Sequence, residues 1–455
     1  MSFLHDPLLP HLERVADVAT MTETFARKLR DAYAHLHLKL EDCALERVQH
    51  RRGRRCRVLY RLRLRDAESR AHEQWFSGKL VRPGQAQRQF EEALYARELK
   101  NGWWKPVELW PELNLIVWAF PNDPEMPGLL WASDAERVRA HVNANLAHFG
   151  VDSSWRCESV RCVRVKYMPG KRCVLRYHAQ LVHPEHAERS LSFYSKTYSG
   201  GMSRFHFQNL RAAHEQMTKI NIPRPLLHWE EANTYWQEPW EGTPLIDTLP
   251  ARDWEITFTQ LARVLADFHQ SHCEAFSAAD TLDLALDSAE EDAPRLGALL
   301  PQHEAMLHEV LRVLRVAREP LARAGAPLVP LHGTLRVEQF LARGEEYALI
   351  DFDMACLGDP HYDLAEFLTS LQFLQFTCGW ERARLEQAMQ QFQAVYAQHV
   401  SWPLEPERLA WYAVVSLLDK LHDALKGLDR TALARLDEII ACMNEWLLVV
   451  TPLGV

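Results

Sequence analysis

The chain has 455 residues, 47% of them hydrophobic and 25% charged, with a formal net charge of −9. That length implies two or three compact units with ample core, and the acidic balance excludes an overall electrostatic case for nucleic acid or an anionic membrane surface. No run approaches the ~18 uninterrupted apolar residues of a membrane-crossing helix, and the opening MSFLHDPLLPHLERVAD lacks a basic-then-apolar leader, so neither a membrane span nor a signal peptide is expected. Nine cysteines lie singly without a CxxC pair, and the histidines show no HExxH spacing. Reduced thiols in a cytoplasmic protein are therefore expected, and a structural zinc site is not.

In chain order, the first organised stretch is also the first half of an internal repeat. RVQHRRGRRCRVLYRLRL (Arg47 to Leu64) matches RVKYMPGKRCVLRYHAQL (Arg164 to Leu181) at an offset of 117, and the register persists without a gap for about sixty positions. Gly53 falls on Gly170, Cys56 on Cys173, Tyr60 on Tyr177, Phe76 on Phe193, Lys79 on Lys196, Glu98 on Glu215 and Pro106 on Pro223. Each copy reads strand, tight Gly loop, strand, loop, strand, helix. In the first copy the loop is strongly basic (Arg51, Arg52, Gly53, Arg54, Arg55), which reads as a solvated turn, a surface for the rest of the chain or a protein partner, or a phosphate site.

SDAERVRAHVNANLAHFG is a predicted helical connector with Ser133 as N-cap. VRCVRVKYM, CVLRYHAQLV and LSFYSKTY are predicted strands, followed by a helix from Ser203 that Pro223 and Pro225 stop, and by strands at PLLHWEE and TYWQEPW. After Gly242 the pattern turns to amphipathic helices such as ITFTQLARVLADFHQSH and HEAMLHEVLRVLRVAREPLARA. Three segments are expected: 1–150, a first small repeat with its connector; 151–242, a second β-rich unit; and 243–455, a mainly helical unit. The fold class is α+β.

The stretch PLHGTLRVEQFLARGEEYALIDFDMACLGDP (Pro330 to Pro360) interrupts the helices with HGxxxxxQ and then an apolar strand ending in IDFD. Upstream, Lys196 sits on the apolar strand SFYSKTY, where an unpaired ammonium would be costly. From about Cys157 to the C-terminus this order resembles the aminoglycoside phosphotransferase and choline kinase family. The resemblance implies a two-lobed protein-kinase-like fold, here preceded by a duplicated small-lobe-like unit, and the use of ATP with Mg²⁺ to phosphorylate a small-molecule hydroxyl. By the same resemblance Gly170 and Lys171 lie in the nucleotide loop, Lys196 and Glu215 form the phosphate-holding pair, and the hinge runs through Glu238. Gln339 and Asp351 are the implied metal ligands, with Asp353 as a second carboxylate. His332 is architectural, His269 packs and hydrogen-bonds, and Asp363 is expected to cap the helix at LAEFL.

Thr334 departs from the family, which carries its proton-accepting Asp there. A threonine hydroxyl orients by hydrogen bonding but is no base at neutral pH, and losing a general base typically costs about 10² to 10⁴ in rate. Glu338, four residues along the loop, is the candidate substitute. Three readings stay open: an active phosphotransferase, a nucleotide-binding pseudokinase with a regulatory or scaffold role, and a kinase-fold enzyme with another transfer chemistry such as nucleotidylation.

Overall fold

The computed structural model describes residues 4–95, 99–100 and 102–450. The chain divides into two compact units, one of residues 1–204, 226–238 and 425–428, the other of 205–225, 239–424 and 429–455.

The first unit holds two copies of one module, apart from the second copy's last helix, which from Phe205 onward belongs to the second unit. The first copy runs α1 (Leu12–Ala16), α2 (Val18–Asp31), β1 (Lys39–Arg51), β2 (Arg55–Arg65), β3 (Ala71–Val81), α3 (Ala86–Tyr95), β4 (Val107–Trp110) and β5 (Leu115–Ala119). The second runs α4 (Leu129–Ala132), α5 (Ala135–Ala144), β6 (Arg156–Met168), β7 (Arg172–Val182), β8 (Arg189–Tyr198), α6 (Ser203–Gln216), β9 (Pro225–Trp229) and β10 (Thr234–Gln237). Both sheets are antiparallel with the same order, β1-β2-β3-β5-β4 and β6-β7-β8-β10-β9. Each core lies between the leading helices and the sheet. On α2, Met21, Phe25 and Leu29 recur every fourth residue and are buried, with Phe25 against Tyr60 and Trp110.

The duplication reaches further upstream than sixty positions. Asp6 accepts the Gly53 amide at 2.7 Å and meets His50 Nε2 at 2.9 Å. At the same offset, Asp123 accepts the Gly170 amide and the Tyr167 hydroxyl, both at 2.8 Å. Tyr60 donates to the Val15 carbonyl, and Tyr177 to that of Ala132. Asp17 caps α2 as Asp134 caps α5. The expected cap Ser133 is displaced by its neighbour: Asp134 accepts two first-turn amides, while the Ser133 hydroxyl turns back to the Leu129 carbonyl. Ser203 opens α6, with its hydroxyl bonded to Asn233 and His228. Glu98 lies outside the described residues.

The second unit is mainly helical. It contains β11 (Thr243–Pro244), α7 (Leu245–Thr248), α8 (Trp254–His269), α9 (Thr281–Leu299) and α10 (Glu304–Ala324). There follow β12 (Val329–Leu331), β13 (Phe340–Arg343), β14 (Glu346–Leu349) and β15 (Cys356–Gly358). The tail is α11 (Pro360–Thr377), α12 (Arg382–His399), α13 (Pro406–Gly427), α14 (Arg430–Leu433) and α15 (Leu436–Val450). β11, β13 and β14 form one small sheet, and β12 pairs with β15. No helix among the described residues is long and apolar enough to cross a membrane, and all nine cysteines are free thiols. The α+β content with a duplicated β-rich module agrees with the fold class read from the sequence.

Candidate functional site

The loop after β12 is built around one carboxylate. Asp363, in the first turn of α11 and fully buried, accepts the amides of His332 at 2.6 Å and Gly333 at 2.9 Å. It also meets His269 Nε2 at 3.3 Å, while His269 Nδ1 lies 2.6 Å from the Tyr396 hydroxyl. An ionised carboxylate only accepts, so Nε2 carries the hydrogen and Nδ1 receives the phenol's. The capping role expected of Asp363 belongs instead to Asp359, whose carboxylate takes the His361 amide. Sequence spacing put both aspartates at the helix start, but only the earlier one precedes the first turn. His332 donates through Nε2 to the Ile350 carbonyl at 2.9 Å, the expected architectural role. Gly333 has φ +80°, and a Cβ there would come within 2.3 Å of the Met354 carbonyl oxygen, so no side chain fits.

The IDFD turn is held from the other side by α6. His206 Nδ1 bonds the Asp353 carbonyl at 2.9 Å, and Asn209 Nδ2 bonds the Ala355 carbonyl at 3.2 Å. Asp351 takes a left-handed conformation (φ 76°, ψ 55°), unusual outside glycine and frequent where a site holds a residue in place. Gln339 is joined to this turn because its carbonyl accepts the Ile350 amide at 3.0 Å. Its side-chain Oε1 is buried and has no hydrogen-bond partner. Asp353 is buried, at 7% exposure. Among the described residues no group of three or more His, Cys, Asp or Glu could hold a metal. Mg²⁺, however, ordinarily takes one or two protein oxygens and completes its shell with phosphate and water. An unbonded amide oxygen on a residue whose main chain is bonded to the turn carrying Asp351 fits that requirement.

Thr334 and Glu338 line one cavity of about 350 Å³ with Glu366, Asp419 and Lys420. Burial works against ionisation of Glu366, but Lys420 at 2.9 Å and Arg336 at 2.9 Å offset it and hold its carboxyl below the usual range. Asp419 goes the other way. Burial, aided by neighbouring Asp292 and opposed by the Ser288 hydroxyl, pushes it up to about 7.

The remaining expected residues are spread over both units. Lys196 is buried on β8, opposite Val174 and Tyr235, with its ammonium 6.0 Å from the Tyr235 ring centre. Lys171 is exposed and Glu238 half-buried. The Gly170 amide, expected to be open to an anion, is already committed to Asp123. Glu215 is exposed and forms no ion pair among the described residues. Nine residues at about 100° each put it half a turn round α6 from His206, on the exposed side of the helix. The sequence reading missed His206, Asn209 and Asp419. The first two were detectable as polar residues on the otherwise apolar stripe of a predicted helix.

Residues 181–412, just over half of the chain, match the model of the phosphotransferase enzyme family. The chain belongs to that family. No curated protein matches it by sequence. Among solved structures it is similar to a choline kinase from Cryptosporidium parvum Iowa II, with 12% identity over 70% of this chain and 97% of the other and a TM-score of 0.48. A thermostable mutant of the aminoglycoside phosphotransferase APH(4)-Ia gives 16% over 63% and 95% with a TM-score of 0.45. A choline/ethanolamine kinase family protein from Mesorhizobium loti gives 15% over 64% and 92% with a TM-score of 0.44.

Asp363→Ala strands two buried amides and the His269 N–H, at roughly 1–3 kcal/mol each. A clear fall in the urea midpoint is expected, larger than for Asp363→Asn, which keeps one acceptor. Asp419 keeps its proton to about pH 7 when folded, whereas an unfolded Asp loses it near ~4. The folded state thus binds the extra proton between those values, and stability falls as pH rises through them. Melting temperatures at pH 5 and pH 8 should differ less in Asp419→Asn than in the wild type.

Proposed function

We propose that the chain is an ATP- and Mg²⁺-dependent phosphotransferase that acts on a hydroxyl of a small molecule. The observation that carries this reading is the buried, unbonded Oε1 of Gln339 beside the left-handed Asp351. These two oxygens would hold the cation, with Asp353 behind them as the second carboxylate. A bound Mg²⁺ supplies charge neutralisation on the transferring phosphoryl group. Lys196 would meet the nucleotide's phosphates and the main chain near Glu238 its base. Lys171 is the remaining contact from the Gly loop, whose Gly170 amide is otherwise engaged.

The acceptor would sit in the cavity under Thr334. Its lining counts five acids (Glu338, Glu366, Asp419, Asp423, Asp429) against Arg336 and Lys420, which suits a neutral or cationic acceptor better than an anionic one. Thr334 would orient the attacking hydroxyl, and Glu338 on the same wall would take its proton. The free thiols fit a reducing, cytoplasmic setting. A second reading, a nucleotide-binding pseudokinase, is favoured by Thr334 alone.

ATP with Mg²⁺ should raise the melting temperature by several degrees, since a ligand at about 100 times its Kd adds ~2.7 kcal/mol. Neither alone should match the pair, and Asp351→Ala should abolish the shift; no shift in the wild type would sink both readings. Thr334→Asp should raise turnover by about 10²-fold or more, and Glu338→Ala should remove the residual wild-type turnover, both measured as phosphate transfer across a panel of hydroxylated metabolites.

A further inference from the structure

The first module keeps a cavity of its own. It measures about 410 Å³ and is lined entirely by the first unit, with β3, β5 and α3 on one side and Asp123–Pro127 and Pro169–Gly170 of the second module on the other. Arg57, Lys79 and Ile116 stand directly opposite one another on β2, β3 and β5, so their side chains share one face of the sheet. The corresponding row of the second module is Val174, Lys196 and Tyr235. The first module has therefore gained a cation where the second has a valine.

The charges on this lining are unevenly matched. Glu125 is paired with Arg57, Glu92 lies 3.6 Å from Arg88, and Asp123 is satisfied by Tyr167 and the Gly170 and Glu125 amides. Lys79 forms no hydrogen bond or ion pair among the described residues. Half-buried, it is lowered first by burial and then by Arg55 and Arg57, which outweigh Glu125 and Glu92. A half-buried ammonium without an ion-pair partner of its own, opposite Arg57 on the next strand, is where a dianion gains most. Gln89 Oε1, also on the lining, is buried without a partner and can accept from a ligand hydroxyl or amine. The remaining wall is apolar: Ile116 and Trp118 are almost wholly buried, and Ala93, Leu99 and Leu130 complete it.

We propose that this cavity binds a small organic phosphate, with its phosphate on Lys79 and Arg57 and its apolar or aromatic body against Ile116, Trp118 and Leu130. The volume lies in the range of small-molecule pockets. No residue assigned above to phosphotransfer takes part except Gly170, whose amide is turned to Asp123.

The test is equilibrium dialysis of the full chain with adenosine monophosphate as probe, inorganic phosphate as the second arm, and the variants Lys79→Met, Ala93→Phe and Lys196→Met. Lys79→Met removes the charge at nearly constant volume, and Ala93→Phe fills the cavity without touching charge. Both should weaken nucleotide binding at least tenfold, while Lys196→Met, which probes the phosphotransfer reading separately, leaves a class of sites of unchanged affinity. Binding within twofold of wild type in both Lys79→Met and Ala93→Phe would overturn the proposal, as would inorganic phosphate binding as tightly as the nucleotide.

Discussion

A carboxylate with no access to water has to be met by donors on all sides, and at Asp363 those donors are the main chain of the functional loop. The amides of His332 and Gly333 converge on it, and His269 with Tyr396 completes the shell. Leaving any of these groups unpaired costs more than the bond is worth when made, which is why such a network holds a loop in one conformation. From that point the order spreads outward. The His332 ring reaches the Ile350 carbonyl, Gly333 admits the Met354 carbonyl, and the Ile350 amide fixes Gln339. His206 and Asn209 secure the turn from α6. Gln339 and Asp351 are therefore positioned by groups that have no chemical role of their own.

The two modules use the same device on a smaller scale. Asp6 and Asp123 each lie in a Pro-containing lead-in segment, and each takes the amide of a hairpin glycine one sheet away. The carboxylate fills the concavity of the Gly turn, a place where other folds receive an external anion. The Gly170 loop is tied to the first module as well, by Arg57 donating to the Pro169 carbonyl at 3.3 Å. The loop that the sequence marks as a nucleotide cradle is thus also a joint between the copies. The cavity beside Lys79 follows directly, because the second module's lead-in and hairpin close it.

What the sequence revealed and what it concealed divide along physical lines. The strands of both modules were legible because β-branched and aromatic residues alternate around a Gly turn, and because the copy at 117 repeats the pattern. The copy's upstream part was not: only scattered anchors survive there, Asp6 with Asp123, Pro7 with Pro124, Asp17 with Asp134, while the helix faces between them have drifted. α9 escaped notice because Pro294 and the acidic run around Glu290 mask its apolar stripe. Thr334, Gln339 and Asp351 could be picked out by motif order. The work of Asp363 could not, since its partners are amides, and an amide leaves no trace in a sequence. Glu215 sits where the resemblance wants a glutamate, and its place on the exposed side of α6 is a matter of helix phase that a motif does not carry.

The place of Thr334 in this network separates two functions that a motif lumps together. Asp363 holds residues 332 and 333 and makes no bond to residue 334. The loop's conformation is thus independent of whether the next side chain is a carboxylate or a hydroxyl. A general base contributes about 10² to 10⁴ in rate, or ~3–5 kcal/mol. Phosphoryl transfer rests mainly on positioning and on charge stabilisation around the phosphoryl group. The features proposed above for positioning are the unbonded Gln339 oxygen, the left-handed Asp351 and the anchored turn. On the proposed reading a bound cation would satisfy the buried Gln339 oxygen, and an apolar residue at that position could not hold it.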